Sequence, residues 1–380
     1  MTSLARDRVD AVVQLVPSTR CELAIIVPTF NERDNIIPLL GKIEDALPGV
    51  AWEVIFVDDD SADGSASLLY KICRSDLRVR VLRRIGRRGL SSAVAEGILS
   101  TSTPYVAVMD ADMQHDEKLL KSMLGALRER QADIVIGSRY LELGSFGELD
   151  EARRNISRFA TQLSRIVIGS TLSDPLSGFF MCRREVFENA MRGLSLQGYK
   201  ILLDLIASSH PKPRTLELPY VFRTRLHGES KLDTLVAWEY LTLLLDKLCG
   251  QWIPVRFIMF AAVGGLGVIV HMAVLSAVYL TGLQSFFFAQ SEATIIAMAS
   301  NFFLNNLLTY RDRRLKGLLP VVRGLLVFYA FCSIGAVANI GIANVFFSGH
   351  FSWWLSAIAG IFVSVVWNYA TNSYFTWRVR

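Results

Sequence analysis

The sequence is poor in the residues that announce a zinc, redox or disulfide protein. Its five cysteines, Cys21, Cys73, Cys182, Cys249 and Cys332, form no Cys-x-x-Cys pair, so reduced thiols are expected and neither a zinc site nor a disulfide frame is signalled. Of its five histidines only His115 stands near groups with which it could form a base and orienter pair. There is no G-x-x-x-x-G-K-S/T and no G-x-G-x-x-G, which excludes a P-loop and a dinucleotide fingerprint. No RNP, zinc-finger or basic-helix pattern is present, and a net charge of +5 gives no reason to expect nucleic acid. The N-terminal stretch lacks a signal-peptide core, since the run from Ala11 to Val16 is short and broken by Gln14. Charge itself then runs out: frequent up to about residue 250, it nearly vanishes from long stretches after Val255. With 52% hydrophobic residues in 380 and a mean hydropathy of +0.35, the chain reads as a soluble half followed by a membrane half.

What is present in the first half is a series of short apolar runs, each ending in polar residues. Leu23 to Val27 ends in Pro28-Thr29-Phe30-Asn31-Glu32, and Val54 to Val57 ends in Asp58-Asp59-Asp60-Ser61. Val79 to Leu82 leads to Gly86-Arg87-Arg88-Gly89. Tyr105 to Val108 leads to Met109-Asp110-Ala111-Asp112-Met113-Gln114-His115, and Ile134 to Ile136 to Gly137-Ser138-Arg139. Helical patterns separate these runs, which predicts an α/β domain built on a parallel sheet with helices on both faces. In such sheets ligands bind beyond the carboxyl ends of the strands, where every one of these polar clusters falls. Asp110 and Asp112, with the Gln114 amide two residues on, offer hard oxygen ligands suited to Mg²⁺ or Mn²⁺, which fills its remaining positions with water and phosphate. The acids near Asp59 suit a base or ribose, and Arg87 and Arg88 suit a phosphate.

Pro28-Thr29-Phe30-Asn31-Glu32, Asp58-Asp59-Asp60-Ser61, Asp110-Ala111-Asp112 and Gly137-Ser138-Arg139 resemble the inverting family 2 glycosyltransferases, which have a GT-A fold. Ser177-Gly178-Phe179, Gly198-Tyr199-Lys200 and the stretch from Phe222 to Lys231 narrow the resemblance to dolichyl-phosphate mannose synthase and its polyprenyl-phosphate relatives, over residues 22–245. The resemblance implies that Pro28, Phe30, Glu32, Val57 and Asp59 line a nucleoside pocket next to Asp110 and Ala111. It implies that Asp110, Asp112 and Gln114 bind the metal. Arg139 and Arg153 would hold the acceptor phosphate with Ser157 nearby, so that Asp110, Asp112, Arg139 and Arg153 carry catalysis. Arg225 and Lys231 would sit on a loop that closes over the diphosphate. Phe30 stands where the family usually has Tyr, and Ser91 where it often has a second Gly after Gly89-Leu90.

Four hydrophobic stretches follow, 256–280, 286–310, 322–347 and 352–377, each long enough for a hydrocarbon core of about 30 Å. Arg256, Arg311, Arg313, Arg314, Lys316, Arg323, Arg378 and Arg380 flank them on one side, while the connections near 281–286 and 348–351 carry no Lys or Arg. The positive-inside rule therefore places both ends and the catalytic half in the cytoplasm. The motif Asn-x₃-Asn-x₃-Thr-aromatic-Arg occurs twice, from Asn301 to Arg311 and from Asn368 to Arg378, so the membrane half is two related hairpins. It resembles the GtrA family. Two segments before it, 154–170 and 234–249, have amphipathic patterns that suit a membrane interface or an ordinary core helix.

The expected organisation is a cytoplasmic GT-A domain over 1–230, an interfacial helix and linker over 231–254, and a GtrA-like domain of four transmembrane helices over 255–380. The expected reaction is metal-dependent transfer of mannose from GDP-mannose to a dolichyl or polyprenyl monophosphate, the identity of the donor resting on the resemblance. Alternatives are a glucosyltransferase using UDP-glucose and a lipid-linked-sugar transporter with a regulatory nucleotide-sugar-binding domain. A homo-oligomer through the membrane half is compatible with this arrangement, and the spacing fixes no number.

Overall fold

The computed structural model of the chain describes residues 21–141, 161–169, 172–196, 198–223, 234–250, 252–279 and 286–377. Contacts divide the chain into two units at Leu248 and Cys249. The first is built on one seven-stranded sheet: β1 (Leu23–Thr29), β2 (Trp52–Asp58), β3 (Val79–Arg83), β4 (Tyr105–Val108), β5 (Ile134–Ser138), β6 (Phe180–Arg183) and β7 (Thr215–Pro219). The spatial order is β3-β2-β1-β4-β6-β5-β7. All pairings are parallel except those of β6, which runs antiparallel to both β4 and β5. The five apolar runs of the sequence are β1 to β5. The two later strands escape pattern reading because β6, Phe-Met-Cys-Arg, runs directly into the helix that starts at Arg184 without a polar turn and β7, Thr-Leu-Glu-Leu-Pro, is a half-buried edge. The reversal of β6 matters for the site: its first residues lie at the rim where β4 and β5 end.

Alternation along each strand splits the core into two layers. Leu23, Ile25 and Val27 of β1 pack with Val54 and Phe56 on one face, under Ile36, Leu39 and Ile43 of α1 (Arg33–Ala46) and Leu120, Met123 and Leu124 of α4 (Leu119–Arg128). Ala24 and Ile26 pack with Ile55 and Val57 on the other face, under Val94 and Ile98 of α3 (Leu90–Leu99). Helix α2 (Ser65–Ser75) covers β2 and β3, and α5 (Arg184–Ala190) follows β6. Gly97 lets α3 approach the sheet, since a Cβ there would lie 2.5 Å from Ile26 Cγ2.

The two amphipathic segments pack on this unit. In the described part of the first, helical residues 161–168, Ile168 is buried and Leu163 and Val167 lie against the second core layer, while Ile166 is exposed. Helix α7 (Thr234–Cys249) buries Leu243 and Leu244 in the same layer. Its Lys247 forms a 2.6 Å ion pair with the fully buried Asp204 of α6 (Ile201–Ser208). Leu241 and Leu248 of α7 remain exposed.

The second unit consists of α8 (Val255–Tyr279), α9 (Phe286–Leu304), α10 (Leu318–Ser348) and α11 (Trp353–Thr371). Each expected hydrophobic stretch falls on one of these helices. Among the described residues, two segments, Val255–Val278 and Leu318–Asn339, are long and apolar enough to cross a membrane by length and composition. Leu266, Val268 and Ile269 of α8 and Ile358, Ile361 and Phe362 of α11 are exposed, an outer surface that suits hydrocarbon better than water.

The sequence repeat is a structural two-fold. Asn305–Thr309 and Asn372–Thr376 both form π-helical turns, closed by Tyr310 N–H to Asn305 O at 2.8 Å and Trp377 N–H to Asn372 O at 3.0 Å. Tyr310 and Trp377 stack at 4.2 Å with an interplanar angle of 4°. Around this pair the contacts are reciprocal: Trp377 Nε1 donates to Asn306 Oδ1, and the Tyr310 hydroxyl bonds the Ser373 hydroxyl. Each hairpin also closes on a glycine. The Asn301 amide fills the space beside Gly267 and the Asn368 amide that beside Gly335, where an added Cβ would lie 2.3 Å from the amide oxygen in either case.

Gly267→Ala should therefore push the Asn301 amide out of its notch and destabilise the membrane unit by about 1–3 kcal/mol. Gly264→Ala, where the added Cβ meets nothing within 4 Å, is the control and should not destabilise. Thermal unfolding of the full chain in detergent reads both; equal midpoints for the two variants would contradict the notch.

Candidate active site

The candidate residues gather at the rim formed by the carboxyl ends of β1, β2, β4 and β5. At the end of β2 the chain turns sharply, with Asp60 at φ 60°. Asp58 Oδ1 accepts the Ser61 N–H at 3.1 Å, and the Ser61 hydroxyl accepts the Asn31 N–H at 2.9 Å. The β1 and β2 ends are thereby locked together, and Asp59 N–H donates to Thr29 O at 2.9 Å. Asp59 accepts the Gly89 N–H at 2.7 Å and faces the buried Arg84 at 3.0 Å. Burial holds the Asp59 carboxyl above its ordinary range, while the Gly89 hydrogen bond and Arg84 pull it down. Gly89 adopts φ 142°, a conformation that favours glycine. Phe30 lies beneath the Arg88 guanidinium at 4.2 Å, and Glu32, just before α1, accepts the Asn35 side-chain amide at 2.7 Å. Pro28 is in β1, paired in register with Val57.

Two expectations shift here. The Val57 side chain is fully buried in the second core layer near Gly97, so this residue offers the rim only its backbone. Arg87 and Arg88, both expected to suit a phosphate, part here: Arg87 is ion-paired with Glu96, and Arg88 lies over Phe30.

The end of β4 is held by a histidine. His115 Nδ1 accepts the Asp110 N–H at 3.2 Å, and its Nε2 lies 3.8 Å from Asp110 Oδ2. The ring is buried, stacked on Phe179 at 5.0 Å with Tyr220 and Phe222 at its edges. Burial pushes its pKa down to about 4; Asp112 opposes that shift and Arg139 reinforces it. At neutral pH it is therefore uncharged, with its proton assigned to Nε2, toward Asp110. Ala111 is buried and Met113 takes φ 65°, turning the loop so that Asp112 Oδ1 accepts the Gln114 N–H at 3.2 Å. Gln114 Nε2 donates to Arg223 O at 3.0 Å, so its carbonyl oxygen is the atom it could lend to a metal. The neighbouring Arg223 is itself paired with Asp116 and Glu117.

A divalent cation fits this donor set in part. Asp110 is over a third exposed, Asp112 is pinned, and both are hard oxygen donors. Among the described residues no group of three or more His, Cys, Asp or Glu could hold a metal. Two carboxylates and an amide are what these residues could offer a cation, which would need phosphate and water to complete its coordination.

At the end of β5, Arg139 meets Asp174, a residue that spacing alone did not single out. Its Nε and Nη2 donate to the two carboxylate oxygens at 2.8 and 2.9 Å, and its N–H adds a third bond at 3.3 Å. Asp174 is fully buried. Burial alone would lower the affinity of the guanidinium for its proton, but the hydrogen bond and charge of Asp174 outweigh it and hold Arg139 above its ordinary value. Glu217 of β7 fixes the loop around Asp174 by accepting the N–H groups of Ser173 and Asp174 at 2.8 and 2.9 Å. Four residues on, Gly178 passes so close to Asp110 that a Cβ would lie 3.0 Å from Oδ2. Asp110, Ala111, Asp112, Gln114 and Arg139 are thus joined through His115, Phe179, Phe222 and the 172–178 loop. Arg153, Ser157, Arg225 and Lys231 lie outside the described residues.

Comparison with known proteins places both halves. Residues 24–190 match glycosyl transferase family 2, and residues 259–377 match the GtrA/DPMS transmembrane domain. A dolichol-phosphate mannosyltransferase of Pyrococcus furiosus is 32% identical, over 94% of this chain and 99% of that protein. The enzyme of the same name from Saccharomyces cerevisiae is 35% identical over 59% of this chain and 86% of its own length. A crystal structure of glucosyl-3-phosphoglycerate synthase from Mycobacterium tuberculosis, with Mn²⁺, UDP-glucose and phosphoglyceric acid, superposes with a TM-score of 0.48 at 19% identity. It covers 61% of this chain and 80% of that one. The chain belongs to glycosyl transferase family 2 and, within it, to the dolichol-phosphate mannosyltransferase family, and it also carries a GtrA/DPMS transmembrane domain.

Asp174→Asn should strand the Arg139 guanidinium and destabilise the first unit by about 3–5 kcal/mol. Replacing both partners, Arg139→Met with Asp174→Leu, should recover much of that stability without recovering activity. Denaturant unfolding of the full chain in detergent checks this; strictly additive losses would contradict a coupled pair.

Proposed function

We propose that this chain transfers a hexose, mannose from GDP-mannose, onto a dolichyl or polyprenyl monophosphate, with inversion at the anomeric carbon. The observation that carries the reading is the single rim on which Asp110, Asp112 and Gln114 stand next to the Asp174-clamped Arg139. This rim belongs to a chain that continues into an apolar helical unit. A site for a diphosphate leaving group beside a site for a second phosphate, tied to a membrane segment, suits a nucleotide sugar and a lipid phosphate. Likeness to the Pyrococcus furiosus mannosyltransferase along nearly the whole of both chains supports the same combination.

In this reading Phe30, Asp59 and Arg88 receive the nucleoside, with Pro28, Glu32 and the Val57 backbone around them. Asp110, Asp112 and Gln114 would hold Mg²⁺ or Mn²⁺, whose charge offsets that developing on the departing diphosphate. Arg139 aligns the acceptor, an oxyanion already ionised at pH 7. One of its oxygens bonds to the anomeric carbon as the sugar–diphosphate bond breaks. No general base is needed, and the residues agree: neutral His115 spends Nδ1 on the Asp110 N–H and is enclosed by aromatic rings. Catalysis then rests on alignment and charge. Arg153 and Ser157 would complete the acceptor site, and Arg225 and Lys231 the cover over the diphosphate. We assign 1–230 to catalysis, 231–254 to a linking helix that also rests on the catalytic half, and 255–380 to a four-span anchor. The basic flanks of that anchor support a cytoplasmic position for the catalytic half.

Asp112→Asn should lower turnover by about 100-fold or more and abolish its dependence on added Mn²⁺. Unchanged turnover with full metal dependence would remove Asp112 from the site. A donor screen with GDP-mannose, UDP-glucose and UDP-galactose, using a short polyprenyl phosphate and mass detection of glycolipid, tests the substrate. A mannosyl product from GDP-mannose alone is expected; a product only from a UDP-sugar would overturn the donor while keeping the rim.

A further inference from the structure

Among the described residues, Lys200 is a cation near this rim that forms no ion pair. Lys200 precedes α6 in a loop tied to the start of α3 by the Ser91 N–H, which donates to Gly198 O at 3.2 Å. Its side chain is partly enclosed and reaches back to the 172–178 loop, where Nζ donates to Leu176 O at a long 3.4 Å. Among the described residues no carboxylate lies within ion-pairing distance of it. The charges that act on it are those of Arg139, Asp174 and Asp110. The charge of Asp174 is already matched by Arg139, which binds both of its oxygens, and Asp110 acts on Lys200 without forming an ion pair among the described residues. Burial disfavours the ammonium first, and the repulsion of Arg139 adds to that. An enclosed cation of this kind is stable when an anion arrives and costly when none does.

We propose that Lys200 contacts substrate, adding a second cation beside Arg139 at the acceptor phosphate. The inference rests on the proposed transfer to a lipid phosphate and adds a residue to it. The acceptor is favoured over the donor diphosphate because Lys200 donates to Leu176 O, in the loop that holds Arg139, and because Asp59 and Arg88 sit beyond β1, at the end of β2 and after β3. A phosphate monoester carries nearly two negative charges at neutral pH. Arg139 is already balanced by Asp174, so Lys200, with the Arg153 assigned to the same site, would supply positive charge to match the ligand.

The test uses the full chain in nanodiscs, with Lys200→Met, which keeps length and loses charge, and Lys200→Arg, which keeps charge. Lys200→Met should raise KM for polyprenyl phosphate by about 10–100-fold while donor KM stays within about twofold, and Lys200→Arg should restore part of the loss. Inorganic phosphate should raise the melting temperature of the unmodified chain but not of Lys200→Met, a readout that needs no turnover. A rise in donor KM with acceptor KM unchanged would overturn the proposal, as would a Lys200→Met chain that phosphate still stabilises. If the unmodified chain transfers to no lipid phosphate yet shows Lys200-dependent stabilisation by inorganic phosphate, the transfer reading fails while the anion site stands.

Discussion

A guanidinium taken out of water needs a carboxylate in bidentate register, and the rim of this sheet is arranged around one such pair. Arg139 ends β5; Asp174 lies in the loop that leads into β6. For the two to meet, that loop must return to the rim, so β6 enters the sheet antiparallel between β4 and β5. Glu217 of β7 holds the loop from behind, and Gly178 lays it against Asp110. The ion pair thus sets the distance between the carboxylates at the end of β4 and the arginine at the end of β5. Breaking it would release both sides of the site at once, whereas a surface pair such as Arg78 with Glu44 could be lost at little cost.

The membrane unit solves a different problem with a similar economy of parts. In hydrocarbon a buried amide must find a partner within the protein. Here Asn306 bonds both ends of Leu315 and the Trp377 indole, while Asn372 accepts from Thr376 and donates to Asn368 O. The π-helical turns place these groups at matching positions of the two hairpins, and the stacked Tyr310 and Trp377 mark where the halves meet. The two-fold was legible in the sequence as a repeated motif; the reciprocal bonding of Asn306 with Trp377 and Ser373 with Tyr310 was not, because it runs between the repeats.

The same division holds for the catalytic half. Strands β1 to β5 and their polar ends were legible because each is a local pattern: an apolar run, then acids, glycines or arginines. Asp110, Asp112, Gln114 and Arg139 could be named for that reason. Asp174, Glu217 and Arg84 were missed because their partners lie far away in sequence or, for Arg84, because a basic turn looks the same whether solvated or folded over Asp59. Val57 was placed at the rim by its motif neighbours, yet the two-residue period of the strand turns its side chain into the core. Arg87 and Arg88 are adjacent in sequence and part company in space, one to Glu96 and one to Phe30.

The central claim is that this rim joins a sugar to a lipid phosphate without a general base. It is tested most directly by offering the full chain equal amounts of a polyprenyl monophosphate and the corresponding polyprenol with the active donor, and identifying the glycolipid by mass and ³¹P NMR. A single sugar–phosphodiester–lipid product and no glycosylated alcohol are expected, because only the phosphate arrives already ionised and carries the charge proposed to meet Arg139. Transfer onto polyprenol, or release of free sugar with neither lipid modified, would contradict it.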